Sequence, residues 1–156
     1  DIILGHINQS LWKNLSKEGV DKTYNESELE KITHIAKNRS TFSSDLYKSV
    51  SYFFEPVILD DNVVLKNDYE FRKIINIFLA NLYYHETSNA RYIEVKLAGE
   101  CDANNIKIGK ILPDLRMALT GGLPGPELPL IMEILGLEEF SKRIDNLLLK
   151  TKKVAS

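Results

Sequence analysis

Apolar residues recur along this chain at spacings of three and four, in runs separated by short polar stretches, and that period predicts helices. Ile3, Ile7, Leu11 and Leu15, with Trp12 beside them, form the first stripe, which Gly19 stops. Ser27 followed by Glu30 reads as a capping box that opens a second helix. Its inward residues are Leu29, Ile32, Ile35 and Ala36, and it runs into Lys37-Asn38-Arg39. Ser43 or Ser44 is placed to cap a third, with Leu46, Val50, Phe53 and Phe54 inward, and Pro56 ends it. Residues 57–66 are rich in β-branched side chains, but nothing later supplies strands to complete a sheet, so a loop is expected.

Asn67 or Asp68 caps the strongest stripe, Phe71, Ile74, Ile75, Phe78 and Leu82, which predicts the most buried helix. Thr87 or Ser88 caps a helix bearing Ile93, Leu97 and Cys101. The next runs from Ile106 to Leu119, with Pro113 inside it or dividing it. A short face of Leu130, Ile131, Ile134 and Leu135 ends at Gly136, and Leu137, Phe140, Ile144, Leu147 and Leu148 make the last helix before a basic tail. The fold class expected is all-α, a helical bundle of about eight helices. A seam between halves fits either residues 55–68 or residues 102–105.

One stretch departs from this regularity. Five of the eight glycines and four of the five prolines lie between Gly109 and Gly136. Such residues mark a backbone that turns sharply or admits a close approach. The expected arrangement is a helix ending at Thr120, a rigid exposed elbow from Gly121 to Pro126, and a new helix opening at Glu127. Arg116 sits on the last turn before the elbow.

Charge adds a weak bias to the same region. The whole chain is at −2, but residues 1–103 hold 12 Lys/Arg against 16 Asp/Glu, and residues 104–156 hold 8 against 6. The lone cysteine, Cys101, excludes an intrachain disulfide and fits a reducing cytosol. Charges break the apolar runs short of the length that crosses a bilayer, so no membrane partner is expected. The chain starts at Asp1, which is expected of a processed protein or a fragment.

No catalytic constellation forms. His6, His34 and His85 are scattered without a second metal ligand, so no metal site is expected. Asp60, Asp61 and Asp68 lack the alternation of a calcium loop. The elbow glycines are not followed by the Gly-Lys-Ser/Thr of a phosphate loop. What the elbow offers is binding. Arg116 can donate two parallel hydrogen bonds to a base edge or phosphate, and Leu123, Pro126 and Leu128 can pack on splayed bases. Two alternatives stay open: Arg116 pairs with Asp114 or Glu127 and the prolines only shape a turn, or the elbow grips a protein, making the chain an interaction module without RNA specificity.

The run Lys107-Ile-Gly-Lys-Ile-Leu-Pro-Asp-Leu-Arg-Met-Ala-Leu-Thr-Gly resembles the "K-M-G-x…P-L-R-V-A-L-T-G" signature in the C-terminal anticodon-binding region of bacterial glutamyl-tRNA synthetases, which are class I aminoacyl-tRNA synthetases. Pro126-Glu-Leu and Ile134-Leu-Gly-Leu-Glu-Glu through Arg143-Ile are similar to that family's ending. Lys37-Asn-Arg39 and Tyr52-Phe-Phe54 resemble its "K-E-R…F-F-F" segment at the same spacing. The resemblance covers essentially the whole chain.

It implies an all-helical anticodon-binding part made of two packed helical subdomains, taken as residues 1–103 and 104–156, in a cytoplasmic, monomeric enzyme. The parent would ligate glutamate to tRNA with ATP and magnesium in an N-terminal catalytic domain, its other partner besides the anticodon loop. This chain carries neither the His-Ile-Gly-His nor the Lys-Met-Ser-Lys-Ser motif of that domain, so no cofactor and no activity are expected of it alone. Carried over by position, Arg116 reads the first anticodon base, Gly125, Pro126 and Leu128 supply contacts after the turn, with Pro126 and Leu128 against the second base, and Arg39 reads the third. Lys107, Lys110 and Lys142 are expected to neutralise phosphates. Three departures matter. Gly125 stands where the family often has threonine, Pro129 where it has an aromatic, and Asp114 takes the site of a proline, where it is expected to orient the Arg116 guanidinium or weaken its hold on RNA.

Overall fold

A computed structural model describes residues 23–39, 43–82 and 89–152 of the chain. Among them are seven α-helices and no strand: α1 Glu26–Arg39, α2 Ser43–Val50, α3 Asp68–Leu82, α4 Ala90–Ala103, α5 Leu112–Thr120, α6 Leu128–Leu135 and α7 Leu137–Lys150. Short 3-10 turns at Ser51–Phe53 and Ile108–Lys110 complete the regular structure. The all-α class is as the periodicity predicts. The stripe from Ile3 to Leu15, His6, His85, Thr87, Ser88 and residues 153–156 lie outside the described residues.

The chain divides into two compact units, Asp1–Pro56 with Leu123–Pro126, and Val57–Gly122 with Glu127–Ser156. The main division therefore falls at Pro56, within the 55–68 seam. α4, which the 1–103 boundary would assign to the first half, packs against α3 and α6, so it shares the core of the later helices. Apolar spacing shows that a helix has an inward face but not which helix that face meets.

In the first unit α1 packs on α2. Leu29, Ile32, Ile35 and Ala36 of α1 are buried, as the stripe predicts. Its start differs from the expected Ser27–Glu30 box. Asn25 Oδ1 accepts from the Glu28 amide at 2.8 Å, and the Asn25 amide donates to Glu28 Oε1 at 3.0 Å. The reciprocal geometry is that of a capping box, two residues earlier, with asparagine in place of serine. Around Phe53 and Phe54, both fully buried, the Tyr24 hydroxyl donates to the Phe53 carbonyl at 2.5 Å and the Tyr24 ring meets Phe54 edge-on at 5.6 Å. Such edge contacts add to the area term of aromatic burial.

The second unit is built on α3, in which Phe71, Ile74, Ile75, Phe78 and Leu82 are all fully buried. Residues 57–66 are irregular, with Ile58 and Val64 exposed. α4 is capped by Asn89, whose Oδ1 accepts from the Tyr92 amide at 2.8 Å, in place of the expected Thr87 or Ser88. Glu133 of α6 accepts from the Ala90 amide at 3.0 Å, giving the same helix start a second acceptor. Pro113 divides the expected Ile106–Leu119 helix. Ahead of it lies the 3-10 turn, and Pro113 itself occupies the first turn of α5, where a missing N–H leaves no broken bond.

Candidate nucleic-acid interface

α5 carries Arg116 and ends at the elbow. Its C-terminus closes with Gly121 at φ 72°, whose amide donates to the Met117 carbonyl at 2.9 Å. Gly122 follows at φ 94°. Only glycine takes two successive residues of this kind without strain, and a Cβ on Gly122 would stand 3.3 Å from Met117 Cε. The helix thus ends at Thr120 as expected. Thr120 Oγ1 donates to the Arg116 carbonyl at 2.9 Å, so the threonine of the Leu-Thr-Gly run tightens the turn that bears the arginine.

Arg116 is half-buried on the rim of a hollow of about 510 Å³ in the second unit. Leu97, Leu112 and Leu128 give it an apolar floor, Pro113 and Pro129 stiffen its wall, and Glu94 and Glu127 bring carboxylates to it. A concave, mostly apolar site with a few polar groups is what a planar ring needs, since the ring face loses water while its edge keeps hydrogen-bond partners. Glu127 stands just before α6 and makes no side-chain capping bond to it. Glu127, which the sequence offers as a partner of Arg116, lines the same hollow, whereas Glu94 is not foreseen by the sequence. For Glu94 there was no signal, because it arrives from another helix.

The Asp114 carboxylate does not pair with the Arg116 guanidinium. It is 2% exposed, and its two oxygens accept from the backbone amides of Lys66 at 2.7 Å and Asn67 at 3.0 Å. Residues two apart on a helix do not face each other, and this carboxylate is turned inward to the start of α3.

At the other end of α5, Arg143 of α7 is 4% exposed and donates from Nη1 to the Leu119 carbonyl at 2.7 Å and from Nε to Glu139 Oε1 at 3.3 Å. The arginine of the Arg-Ile ending is therefore an internal brace.

The remaining expected contacts are spread over the two units. In the second, Leu128 is only 3% exposed, so it backs the hollow and offers no free surface for stacking. Its place as the first residue of α6 turns it toward the core. Lys107 and Lys142 are exposed, as is Lys110, whose Nζ lies 4.0 Å from Glu70 Oε1. In the first unit, Arg39 is the exposed last residue of α1, and Gly125 and Pro126 are half-buried. Leu123, at the start of the same segment, is exposed.

Among the described residues no three His, Cys, Asp or Glu side chains come together as a metal site would require. No helix among them is long and apolar enough to cross a membrane. Cys101 is buried, and burial followed by the charges of Asp102 and Glu100 pushes its thiol pKa up, away from the range of a reactive thiolate.

Residues 7–148 match the family described as "Anticodon binding domain". The chain belongs to that family. Within it, this anticodon-binding domain matches the C-terminal region of glutamate–tRNA ligases. It is 35% identical over 136 residues to the glutamate–tRNA ligase of Cytophaga hutchinsonii, covering 83% of this chain and 26% of the ligase. To that of Syntrophotalea carbinolica it is 28% identical over 142 residues, 90% of this chain and 30% of the ligase. Among solved structures, a glutamate–tRNA ligase from Elizabethkingia meningosepticum superimposes with a TM-score of 0.72 at 23% identity, over 97% of this chain and 30% of that one, which supports the fold. The domain thus spans less than a third of the length of these relatives.

Proposed function

We propose that this domain recognises the anticodon loop of a tRNA on behalf of a glutamate–tRNA ligase. Arg116 hydrogen-bonds the first anticodon base at the hollow. Pro126, with Gly125 beside it, supplies contact to the second base, while Leu128 serves it as part of the apolar floor of the hollow. Arg39 reads the third base. Lys107, Lys110 and Lys142 neutralise phosphates, contacts that set affinity and register without reading sequence. The single observation that carries this reading is the juxtaposition of Arg116 with an apolar, proline-walled hollow of about 510 Å³ beside a glycine-closed helix end.

ATP and magnesium belong, on this reading, to the catalytic region of the parent, which is a cytoplasmic monomer that joins glutamate to tRNA. The glycine-rich turn does not suit the phosphates of ATP. It ends a helix, whereas a phosphate loop opens one after a strand.

Binding of an anticodon stem-loop, followed by filter retention or fluorescence, tests the reading. Arg116→Ala is expected to weaken it by roughly 1–3 kcal/mol, the range for a lost bidentate base contact. Lys107→Ala is expected to weaken all RNAs alike and to lower the salt slope by about one. Unchanged affinity in Arg116→Ala, or capture of a protein partner by a domain that ignores RNA, would point to the interaction module instead.

A further inference from the structure

The helix that presents Arg116 is tied at both ends to distant parts of the chain through buried charged groups, its own Asp114 at the start and Arg143 of α7 at the end. At its start, the Asp114 carboxylate takes the amides of Lys66 and Asn67, 48 and 47 residues away in sequence. Phe71 donates its amide to the Asn67 carbonyl at 2.8 Å, so these two amides lie at the opening of α3. The Asn67 amide is one of the donors left without an intrahelical partner at the positive end of α3, and the Lys66 amide lies just ahead of it. Asp114 therefore does for the Asn67 amide, from another helix, what Glu28 does locally for the Asn25 amide at the start of α1. At the far end, Arg143 takes the Leu119 carbonyl, one of the last four of α5. Arg116 lies between the two ties, two residues after Asp114 and three before Leu119.

We propose that Asp114 is a positioning residue for Arg116. By locking the first turn of α5 to the opening of α3, it fixes the height and rotation at which the guanidinium meets the hollow. The inference rests on the reading of Arg116 as a base contact. A bidentate contact needs the fork within a fraction of an ångström and some ten to twenty degrees of its partner, and a nine-residue helix does not hold itself to that tolerance. Asparagine at this position would keep one acceptor and turn an NH₂ toward the other amide, donor against donor, releasing one of the two bonds.

The test uses the domain and two RNA stem-loops, one with a glutamate anticodon and one with its first anticodon pyrimidine replaced by adenine. The ratio of their affinities is measured for the wild type, Asp114→Asn and Arg116→Ala, at a temperature where circular dichroism finds all three folded. A wild-type ratio of about tenfold or more is expected, falling to near one in Arg116→Ala. Asp114→Asn should lose most of the ratio while its affinity for the adenine loop stays within about twofold.

A residue of purely structural importance would lower the melting temperature and leave the ratio intact, so a folded Asp114→Asn with the wild-type ratio overturns the proposal. If Arg116→Ala itself keeps the ratio, the reading of Arg116 has failed, and the positioning role with it. Should Asp114→Asn not fold, Lys66→Pro, which keeps the carboxylate and removes one donor, is judged by the same ratio.

Discussion

α1 and α5 each carry an arginine assigned to the anticodon, and they hold it by opposite means. α1 has fourteen residues, caps itself through Asn25 and Glu28, and bears Arg39 as its exposed last residue. α5 has nine, too few to be stable alone, and both its ends are tied to other elements through buried charges, Asp114 of its own first turn and Arg143 of α7. Arg116 stands in its interior, half-buried beside a hollow. A side chain on a braced helix gives up little freedom on binding, whereas an exposed terminal arginine must be ordered by its ligand. The braced arginine is therefore the one expected to set specificity, and the terminal one to contribute less.

The brace is where the largest effect is expected. Arg143→Ala leaves the Leu119 carbonyl and Glu139 buried without their partner, and should cost the second unit about 3–5 kcal/mol, the range for breaking a buried charged pair. Chemical denaturation measures it, and a loss under about 1 kcal/mol would mean that α5 does not depend on the tie. Next comes the contrast between the arginines. Arg39→Ala should weaken stem-loop binding by about 1 kcal/mol, at the low end of the base-contact range and below Arg116→Ala. A larger loss at Arg39 would reverse the ranking.

α1 should yield to a purely local change. Asn25→Ala removes its cap and should destabilise the domain by about 1 kcal/mol, read as a shift of the denaturation midpoint. No change there would show that α1, too, leans on distant partners.

The smallest effect is at alkaline pH. The Tyr47 phenol is pushed up to about 12, chiefly by burial and then by the charge and hydrogen bond of Glu55. A tyrosine raised above its usual pKa of about 10 keeps its proton in the folded state after the unfolded chain has lost it. Stability should therefore decline as pH rises between those values. Ultraviolet absorption at the phenolate band follows the titration, and Glu55→Gln should move it toward lower pH.

The same contrast explains what was legible in the sequence. Periodicity is a local property, so all five stripe residues of α3 proved fully buried and α5 ended at Thr120 as read. Cap positions slipped by one or two residues because Asn25 and Asn89 stand next to serines and threonines able to do the same work. The non-local ties left no mark. Nothing near Asp114 points to amides 47 and 48 residues away, so by sequence alone its nearest cation, Arg116, is the obvious partner. Leu128 was read as a stacking surface because it follows the elbow, whereas the register of α6 turns it inward. The sequence offers two seams, 55–68 and 102–105, without ranking them, because the boundary at Pro56 depends on which apolar faces meet.

The most direct test of RNA recognition is an amide NMR titration of the domain with a glutamate anticodon stem-loop. Saturable shifts confined to residues near 39 and from 116 to 129 are expected. No shifts, or shifts spread evenly over the lysine-bearing surface, would contradict recognition of the anticodon by these residues.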